Sequence, residues 1–368
     1  MKNLDQFVQK MLESTRLVGA NNAAGATDVI QRALRDAGLL PAGTATAAPA
    51  AQRAGGGFVD LNPMPDWRDA ALPGASSRNR PAATPDGAAG PQAGRFIDGS
   101  FSCAAGARRY KLFIPAGPAR TARPLVVMLH GCTQDANDFA TGTAMNGVAG
   151  GHDCLVLYPE QDRGANHSGC WNWFDTAQQQ RGQGEPEIVA AMTRHVIAEQ
   201  GADARRVYVA GMSAGGAMAA ILGARYPELY AAVGVHSGLA AGSGKDMISG
   251  LHAMKRPAAT AALARSVPVI VFHGEADHVV SPGNGEAVLR QFLGTHAAAG
   301  DRTHEQAAGR ACARTTWRDA QGRRIAEQWT VQGAGHAWQG GNAAGSHTDA
   351  GGPCASAEML AFFLEHSH

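Results

Sequence analysis

The chain has 368 residues, of which 45% are hydrophobic and 17% are charged, and its 32 lysines and arginines nearly balance 31 aspartates and glutamates. This length allows one large domain or two small ones with a buried core. Because positive and negative charges nearly balance, nucleic acid or an anionic membrane is not expected as a partner. No apolar run is long enough to cross a bilayer, so we expect a soluble protein without a transmembrane segment.

The first 94 residues fall into two segments of different composition. Apolar residues at helical spacing predict two short helices in residues 1–40, which we interpret as a hairpin packed on the main domain or on a second copy of the chain. Docking of this segment to a storage-granule surface is the alternative, because amphipathic helices can lie on interfaces. Residues 41–94, rich in Ala, Gly, Pro and Ser, predict a linker.

The start of the chain and its cysteines bear on location and on metal binding. No apolar signal region or small-residue cleavage site follows Met1, so we expect a cytoplasmic protein, with an extracellular location as the alternative. The six cysteines show no Cys-x-x-Cys spacing, which argues against a zinc site or a redox motif. We therefore expect no bound metal.

From residue 95 onwards, short apolar runs alternate with helical patterns. Strands are predicted at 96–102, 109–114, 124–130, 154–158, 207–210, 232–236, 267–273 and 325–332, and helices at about 136–150, at 187–199, directly after Ser213 and at 357–364. The first two strands read as an antiparallel pair, and the others favour a mostly parallel sheet with helices on both faces. Residues 95–368 are thus expected to form one α/β domain with its site beyond the carboxyl ends of the strands.

The run from Val207 to Met218 has the order of a strand, a sharp turn and a helix. Apolar residues lead into Gly211-Met212-Ser213-Ala214-Gly215, and small residues follow. Glycines two positions before and after Ser213 remove the Cβ atoms that would collide where the chain doubles back. The pattern predicts a nucleophile elbow, in which the Ser213 hydroxyl is exposed at the N-terminus of a helix.

A serine hydroxyl needs a base and an orienting carboxylate to act as a nucleophile near neutral pH. In an α/β-hydrolase these residues follow in the order serine, acid, histidine. Asp277 is the candidate acid because a glycine-opened turn leaves it room to curl back toward Ser213, whereas the competitor Glu275 sits closer to the strand tip. His336, in a glycine-rich loop after the last predicted strand, is the candidate base.

Two backbone amides are expected to form an oxyanion hole. Ala214, which follows the nucleophile, supplies one, and Cys132, in the loop after the strand that ends at His130, supplies the other. Cys132 and Cys170 both lie on loops at the expected mouth of the site. A disulfide between them is our hypothesis.

The loop at 161–184 carries three aromatic residues within four positions, a dense group in a chain that is only 6% aromatic. One interpretation is a hydrophobic cluster tucked under the loop. The other is an aromatic wall of an acyl- or polymer-binding cleft, to which the tryptophan beside the candidate base contributes. The substrate-binding residues assigned on this second interpretation are Trp171, Trp173, Trp338 and His130.

These motifs resemble the polyhydroxybutyrate-depolymerase family of esterases, which is related to feruloyl and acetylxylan esterases. The resemblance covers about residues 95–364 and rests on His130-Gly131-Cys132-Thr133-Gln134, Gly169-Cys170-Trp171-Asn172-Trp173-Phe174, Gly211-Met212-Ser213-Ala214-Gly215-Gly216-Ala217-Met218, His236-Ser237-Gly238-Leu239 and Gly335-His336-Ala337-Trp338-Gln339-Gly340-Gly341. It implies an α/β-hydrolase fold and carboxylic-ester hydrolysis through an acyl-enzyme, with Ser213, Asp277 and His336 as the triad. It also implies short 3-hydroxyalkanoate polyesters or oligomers as substrates.

The sequence thus predicts a serine esterase that needs no metal or organic cofactor. Secreted members of the family usually carry an export signal and often a separate substrate-binding domain, and their absence here favours oligomers, amorphous granules or small esters over a crystalline polymer. A feruloyl or acetylxylan esterase is the alternative, because it would share every catalytic part and differ only in the cleft. A non-catalytic protein on a granule surface is the alternative from another class, and it requires a broken triad.

Overall fold

The computed structural model describes residues 94–119, 121–294 and 300–368, together with Val29. Apart from Val29, the helical segment predicted at 1–40 lies outside the described residues, as does the linker predicted at 41–94 apart from its last residue. No helix within the described ranges has the length and apolar character that crossing a membrane requires.

The described strands form one large sheet and one small sheet. The large sheet contains β1 (Arg95–Cys103), β2 (Gly106–Ile114), β3 (Leu125–Leu129), β4 (Leu155–Glu160), β5 (Val207–Met212), β6 (Ala232–His236), β7 (Val269–Gly274), β8 (Asp301–Ala307), β9 (Arg310–Arg318) and β10 (Arg324–Val331). The small sheet pairs β11 (Trp338–Gln339) with β12 (Thr348–Asp349) in parallel.

Seven α-helices lie within the described ranges. They are α1 (Ala136–Thr143), α2 (Met145–Gly151), α3 (Gly184–Gln200), α4 (Ala214–Arg225), α5 (Met247–Lys255), α6 (Gly283–Leu293) and α7 (Ala355–Leu364). A short 3-10 helix, Thr176–Gln179, lies in the loop before α3.

The large sheet has the strand order β1-β2-β4-β3-β5-β6-β7-β10-β9-β8. Neighbouring strands from β4 through β3, β5, β6 and β7 to β10 are parallel, while β1–β2, β2–β4, β10–β9 and β9–β8 are antiparallel. Parallel strands need crossover connections, and helices supply most of them here. The mostly parallel sheet that the sequence predicts is confirmed, with antiparallel strands added at both edges.

Side chains of the central strands pack on both faces of the sheet. Along β3, Leu125, Val127 and Leu129 belong to one core cluster, while Val126 and Met128 belong to the other. Helices α3, α4, α5 and α6 cover the first cluster, and α1, α2 and α7 cover the second. Burial on both faces explains why the central strands are continuous apolar runs without polar alternation.

The structure differs from the predicted elements in several places, among them the unpredicted small sheet of β11 and β12. The helix predicted at about 136–150 is two helices, because Ala144 adopts a left-handed conformation with φ of 52° between α1 and α2. Helices α5 and α6 carry no sequence prediction. The same is true of strands β8 and β9, of which β8 is almost wholly exposed and therefore lacks the apolar pattern that marks the central strands.

Candidate active site

Ser213 lies in the turn between β5 and α4, as an elbow requires. Its φ of 56° and ψ of −118° are unusual for a residue with a side chain, and such strain persists only where the surroundings hold it. Its amide donates a 2.9 Å hydrogen bond to the carbonyl oxygen of His236 at the end of β6, and its own carbonyl accepts from the amide of Ala217. The turn is thus fixed on both sides of the serine.

The two glycines of the elbow are required by close backbone approach. A Cβ atom at Gly215 would collide with the carbonyl oxygens of Leu129 and His130 on the neighbouring strand end. A Cβ atom at Gly211 would collide with the carbonyl group of Gly215 itself. The first turn of α4 can therefore approach the end of β3 only because both positions lack a side chain.

Asp277 and His336 come together at the same edge of the sheet. Asp277 follows β7 and His336 follows β10, and these two strands are parallel neighbours. The Nδ1 atom of His336 lies 2.7 Å from Oδ2 of Asp277. Because the carboxylate accepts, this contact fixes the hydrogen of a neutral His336 on Nδ1 and leaves Nε2 free to act as a base.

The carboxylate of Asp277 is buried but well supplied with donors. Oδ1 accepts 2.9 Å hydrogen bonds from the amides of Val279 and Val280, and Oδ2 contacts His336 and, at 3.3 Å, His273. Burial raises the pKa of Asp277, but hydrogen bonds from the two histidines and from the Val280 amide more than offset it, so the pKa lies well below its usual range. Asp277 therefore stays ionised. The competitor Glu275 is exposed instead.

The loop after β3 lies beside the nucleophile. A Cβ atom at Gly131 would be 3.6 Å from Cβ of Ser213, so this loop passes directly over the elbow. Among the described residues, the amides of Cys132 and Ala214 donate no hydrogen bond, which leaves both free for an oxyanion. Gln134 fixes the loop, because its Oε1 accepts from the Gly131 amide at 3.0 Å.

A disulfide joins Cys132 to Cys170, with 4.2 Å between the two Cα atoms. This is the pairing that the sequence analysis offers as a hypothesis. The amide of Thr133 also donates a 2.8 Å hydrogen bond to the carbonyl of Ser168. The disulfide and this hydrogen bond together tie the candidate oxyanion loop to the aromatic loop.

Ser213 Oγ forms no hydrogen bond within the described part of the chain. Catalytic hydrogen bonds are often long in unliganded enzymes and tighten only when substrate binds. The three candidate residues nevertheless all follow the carboxyl ends of parallel strands, β5, β7 and β10, and therefore lie at the same edge of the sheet. His347 contacts Thr133 of the candidate oxyanion loop at 3.4 Å, and burial is the main cause that lowers the pKa of His347.

The residues assigned to substrate binding are buried. Exposure is 0% for Trp171, 1% for Trp338, 6% for Trp173 and 1% for His130. Trp338 stacks on His236 at 4.8 Å between ring centroids and contacts Phe139 edge-on, and its Nε1 donates to Ser356 Oγ.

His130 is fully occupied inside the protein. Its Nδ1 lies 2.8 Å from the Gly131 carbonyl, and its Nε2 accepts from the Gln161 amide. We correct the assignment of a substrate wall accordingly. A wall must reach solvent, whereas all four side chains are buried. Trp171 and Trp173 lie in one core cluster, as the hydrophobic-cluster interpretation of the loop expects, and Trp338 lies in the cluster on the other face of the sheet.

The sequence analysis assigns no role to several residues that support the site. Glu185, in the first turn of α3, is buried and accepts from Asn172 and Gln161, which holds the aromatic loop in place. His236 and His273 are buried beneath the elbow and the acid. The sequence carries a partial signal, because both histidines end predicted buried strands and His236 opens one of the family motifs, but the contacts that each ring makes are visible only in the structure. No group of three or more His, Cys, Asp or Glu in the described ranges could hold a metal ion.

The sheet, its helices and the strained serine turn define an α/β-hydrolase fold. An acetyl xylan esterase from Aspergillus awamori has a similar fold, with a TM-score of 0.56 and 20% identity over 70% of this chain and 94% of the other. The chain belongs to the esterase PHB depolymerase family, whose model matches residues 108–315. The family resemblance drawn from the sequence motifs is thereby confirmed.

Three curated relatives extend this comparison. A poly(3-hydroxyalkanoate) depolymerase C from Paucimonas lemoignei is 31% identical over 61% of this chain and 56% of its own length. A feruloyl esterase B from Neurospora crassa is 37% identical over 32% of this chain and 39% of its own length. A probable acetylxylan esterase A from Aspergillus fumigatus is 28% identical over 50% of this chain and 54% of its own. The chain thus spans about half the length of the curated relatives it matches.

Proposed function

We propose that this protein is a serine carboxylic-ester hydrolase that works through an acyl-enzyme. The observation that carries the proposal is the Asp277–His336 hydrogen bond, at the sheet edge where Ser213 sits in its strained turn. A carboxylate that orients an imidazole at the sheet edge that carries a half-buried serine is the arrangement that activates a hydroxyl. The esterase relatives point to the same chemistry.

In the proposed mechanism, Ser213 Oγ attacks the ester carbonyl carbon while Nε2 of His336 takes its proton. Asp277 keeps the hydrogen of His336 on Nδ1 and stabilises the imidazolium that forms. The amides of Cys132 and Ala214 donate to the oxyanion of the tetrahedral intermediate. His336 then protonates the leaving alkoxide, and water repeats the sequence on the acyl-enzyme.

As substrates we propose poly(3-hydroxybutyrate)-type polyesters, their oligomers or short-chain esters. The matching relative named as a poly(3-hydroxyalkanoate) depolymerase supports this choice, because its similarity extends over 61% of the chain. A feruloyl or acetylxylan esterase is the second candidate, supported by the relatives of those names. These enzymes would share the triad and differ in the cleft.

Replacing the nucleophile tests the activity. Ser213→Ala should lower hydrolysis of p-nitrophenyl butyrate by at least about a thousandfold, because no other group can form the acyl-enzyme. Ser100→Ala, at an exposed serine on β1, is the matched control and should retain wild-type activity. Near-wild-type activity in Ser213→Ala would end the proposal.

A substrate panel tests the specificity. We expect the highest kcat/KM for 3-hydroxybutyrate oligomers, when these are compared with methyl ferulate and acetylated xylan. A preference for either plant-derived ester would replace the first candidate by the second, while leaving the serine mechanism intact.

For the compartment, the disulfide between Cys132 and Cys170 favours the extracellular alternative over a cytoplasmic location, because disulfides persist where the surroundings are oxidising. Mass spectrometry of unreduced peptides from the native protein should detect this pair. Docking of residues 1–40 to a granule, or self-association through them, stays a prediction. Co-sedimentation of the full chain with granules, and its sedimentation alone, would test the two.

A further inference from the structure

A second imidazole lies against the carboxylate of Asp277. His273 is a residue of β7, and its side chain is buried. Its Nε2 is 2.9 Å from the carbonyl oxygen of Val280 and 3.3 Å from Oδ2 of Asp277. A carbonyl oxygen and an ionised carboxylate only accept hydrogen bonds. Nε2 of His273 must therefore carry a hydrogen, which it donates to the Val280 carbonyl at 2.9 Å, with Oδ2 of Asp277 as a longer second acceptor at 3.3 Å.

The other ring nitrogen of His273 sits in different surroundings. Its Nδ1 is buried and has no hydrogen-bond partner among the described residues. A Cβ atom at Gly285 would lie 3.1 Å from Nδ1, so α6 packs directly against this side of the ring. A hydrogen on Nδ1 would be buried without an acceptor, which is costly. The ring is therefore the neutral tautomer with its hydrogen on Nε2.

Asp277 thus has three hydrogen-bond donors and His273 as a longer fourth contact. The amides of Val279 and Val280 hold Oδ1, while His336 and His273 share Oδ2. His236 also lies close to this pair. It is buried, and burial is the main cause that lowers its pKa to about 3.

We infer that His273 is a positioning residue for Asp277, an inference that rests on the proposed function. By donating to Oδ2 from the strand side, it fixes the oxygen that orients His336. Without this contact, His336 alone holds Oδ2, so that Oδ2 and the imidazole can shift together while the Val279 and Val280 amides still hold Oδ1. His336 would then lose its productive orientation in part of the molecules, which lowers kcat and leaves substrate binding unchanged.

Two substitutions test whether His273 acts as a hydrogen-bond donor to Asp277 or only fills space in the core. His273→Met removes the donor and should lower kcat for p-nitrophenyl butyrate by about tenfold, the effect of losing one hydrogen bond to a charged group, with KM unchanged. His273→Gln places an amide N–H near the position of Nε2 and should recover most of the loss. His195→Gln, at a histidine on α3 that packs on Phe101, is the control for the substitution itself.

A spectroscopic readout accompanies the kinetics. The low-field proton resonance of His336 Nδ1–H should broaden or move in His273→Met and stay in place in His273→Gln. Equal kcat values for the wild type and His273→Met would overturn the inference. Equal losses of kcat in the Met and Gln variants would also overturn it, because they would show that the hydrogen-bond donor at this position has no effect.

A measurement on the wild type keeps the inference testable even where a variant fails to fold. In ¹⁵N-labelled protein, the imidazole of His273 should give the nitrogen shifts of a neutral ring protonated on Nε2. A ring protonated on Nδ1 would overturn the inference, because Nε2 could then not donate to Asp277. This result does not depend on activity, so it is distinct from a failure of the proposed esterase function, which Ser213→Ala reports.

Discussion

The elbow and the aromatic loop flank the same site. The sequence predicts the conformation of the elbow correctly, but it does not predict whether the aromatic side chains of the loop are exposed or buried. At the elbow, Gly211 and Gly215 are dictated by collisions with backbone atoms, so the local residues suffice to predict the turn. In the loop at 161–184, the side chains are held from a distance by the buried Glu185 and by the Cys132–Cys170 disulfide. Backbone constraints can be read locally, whereas the exposure of a side chain is decided by tertiary packing.

The largest expected effect concerns the aromatic loop. Trp171→Ala should lower the free energy of unfolding by about 3 to 5 kcal/mol, because it removes a fully buried indole that packs on His130. Trp171→Phe retains most of the volume and should lose much less. Urea denaturation measures both values, and KM for p-nitrophenyl acetate should stay unchanged in the Phe variant. A raised KM with unchanged stability would restore Trp171 to the substrate wall.

A somewhat smaller effect is expected at the elbow. Gly215→Ala should lower the free energy of unfolding by about 3 kcal/mol and remove esterase activity, since the added Cβ forces α4 away from the end of β3. Gly147→Ala is the matched control, because a Cβ there meets nothing within 4 Å in the middle of α2. The control should be stabilised by up to about 1 kcal/mol. Similar results for the two variants would show that the elbow tolerates a side chain.

The smallest expected effect is a pH dependence of stability, and it concerns a buried histidine beneath each of the two regions. Burial lowers the pKa of His236 under the elbow to about 3, and it also lowers the pKa of His130 under the aromatic loop. Between pH 6.5 and 3 the unfolded chain therefore binds a proton at residue 236 that the folded chain does not. Stability falls as the pH falls, by about 2 kcal/mol between pH 7 and pH 5 from His236 alone.

His236→Phe isolates this contribution. The phenyl ring can keep the stacking on Trp338 and Phe272, but it does not titrate. Urea denaturation at pH 7 and pH 5 should give a smaller difference for this variant than for the wild type. An unchanged difference would mean that His236 takes up its proton in the folded state, contrary to its burial.

The sequence predicts the centre of the fold better than its edges. Strands β3 to β7 are buried on both faces, so their apolar runs are visible. Strand β8 is exposed and has no such run, and α6 begins with Gly283-Asn284-Gly285, which reads as a loop.

The same division holds for the candidate site. Chain order and local motifs point to Asp277 and His336, which the structure joins at 2.7 Å. Glu185 contacts Asn172 and Gln161 in the preceding loop, and the proposed role of His273 depends on how the turn after β7 folds back onto the strand. Both depend on the three-dimensional path of the chain, which the local residue pattern does not give.

Covalent trapping tests the central claim that Ser213 is activated by His336 and Asp277. The full chain is treated with a fluorophosphonate, and peptides are mapped by mass spectrometry. The account predicts a single adduct, on Ser213, whose formation slows by about ten-thousandfold in Asp277→Asn and is unchanged in Glu275→Gln, an exposed carboxylate two residues away. An adduct on another serine, or equal labelling rates in the Asp277→Asn variant and the wild type, would contradict it.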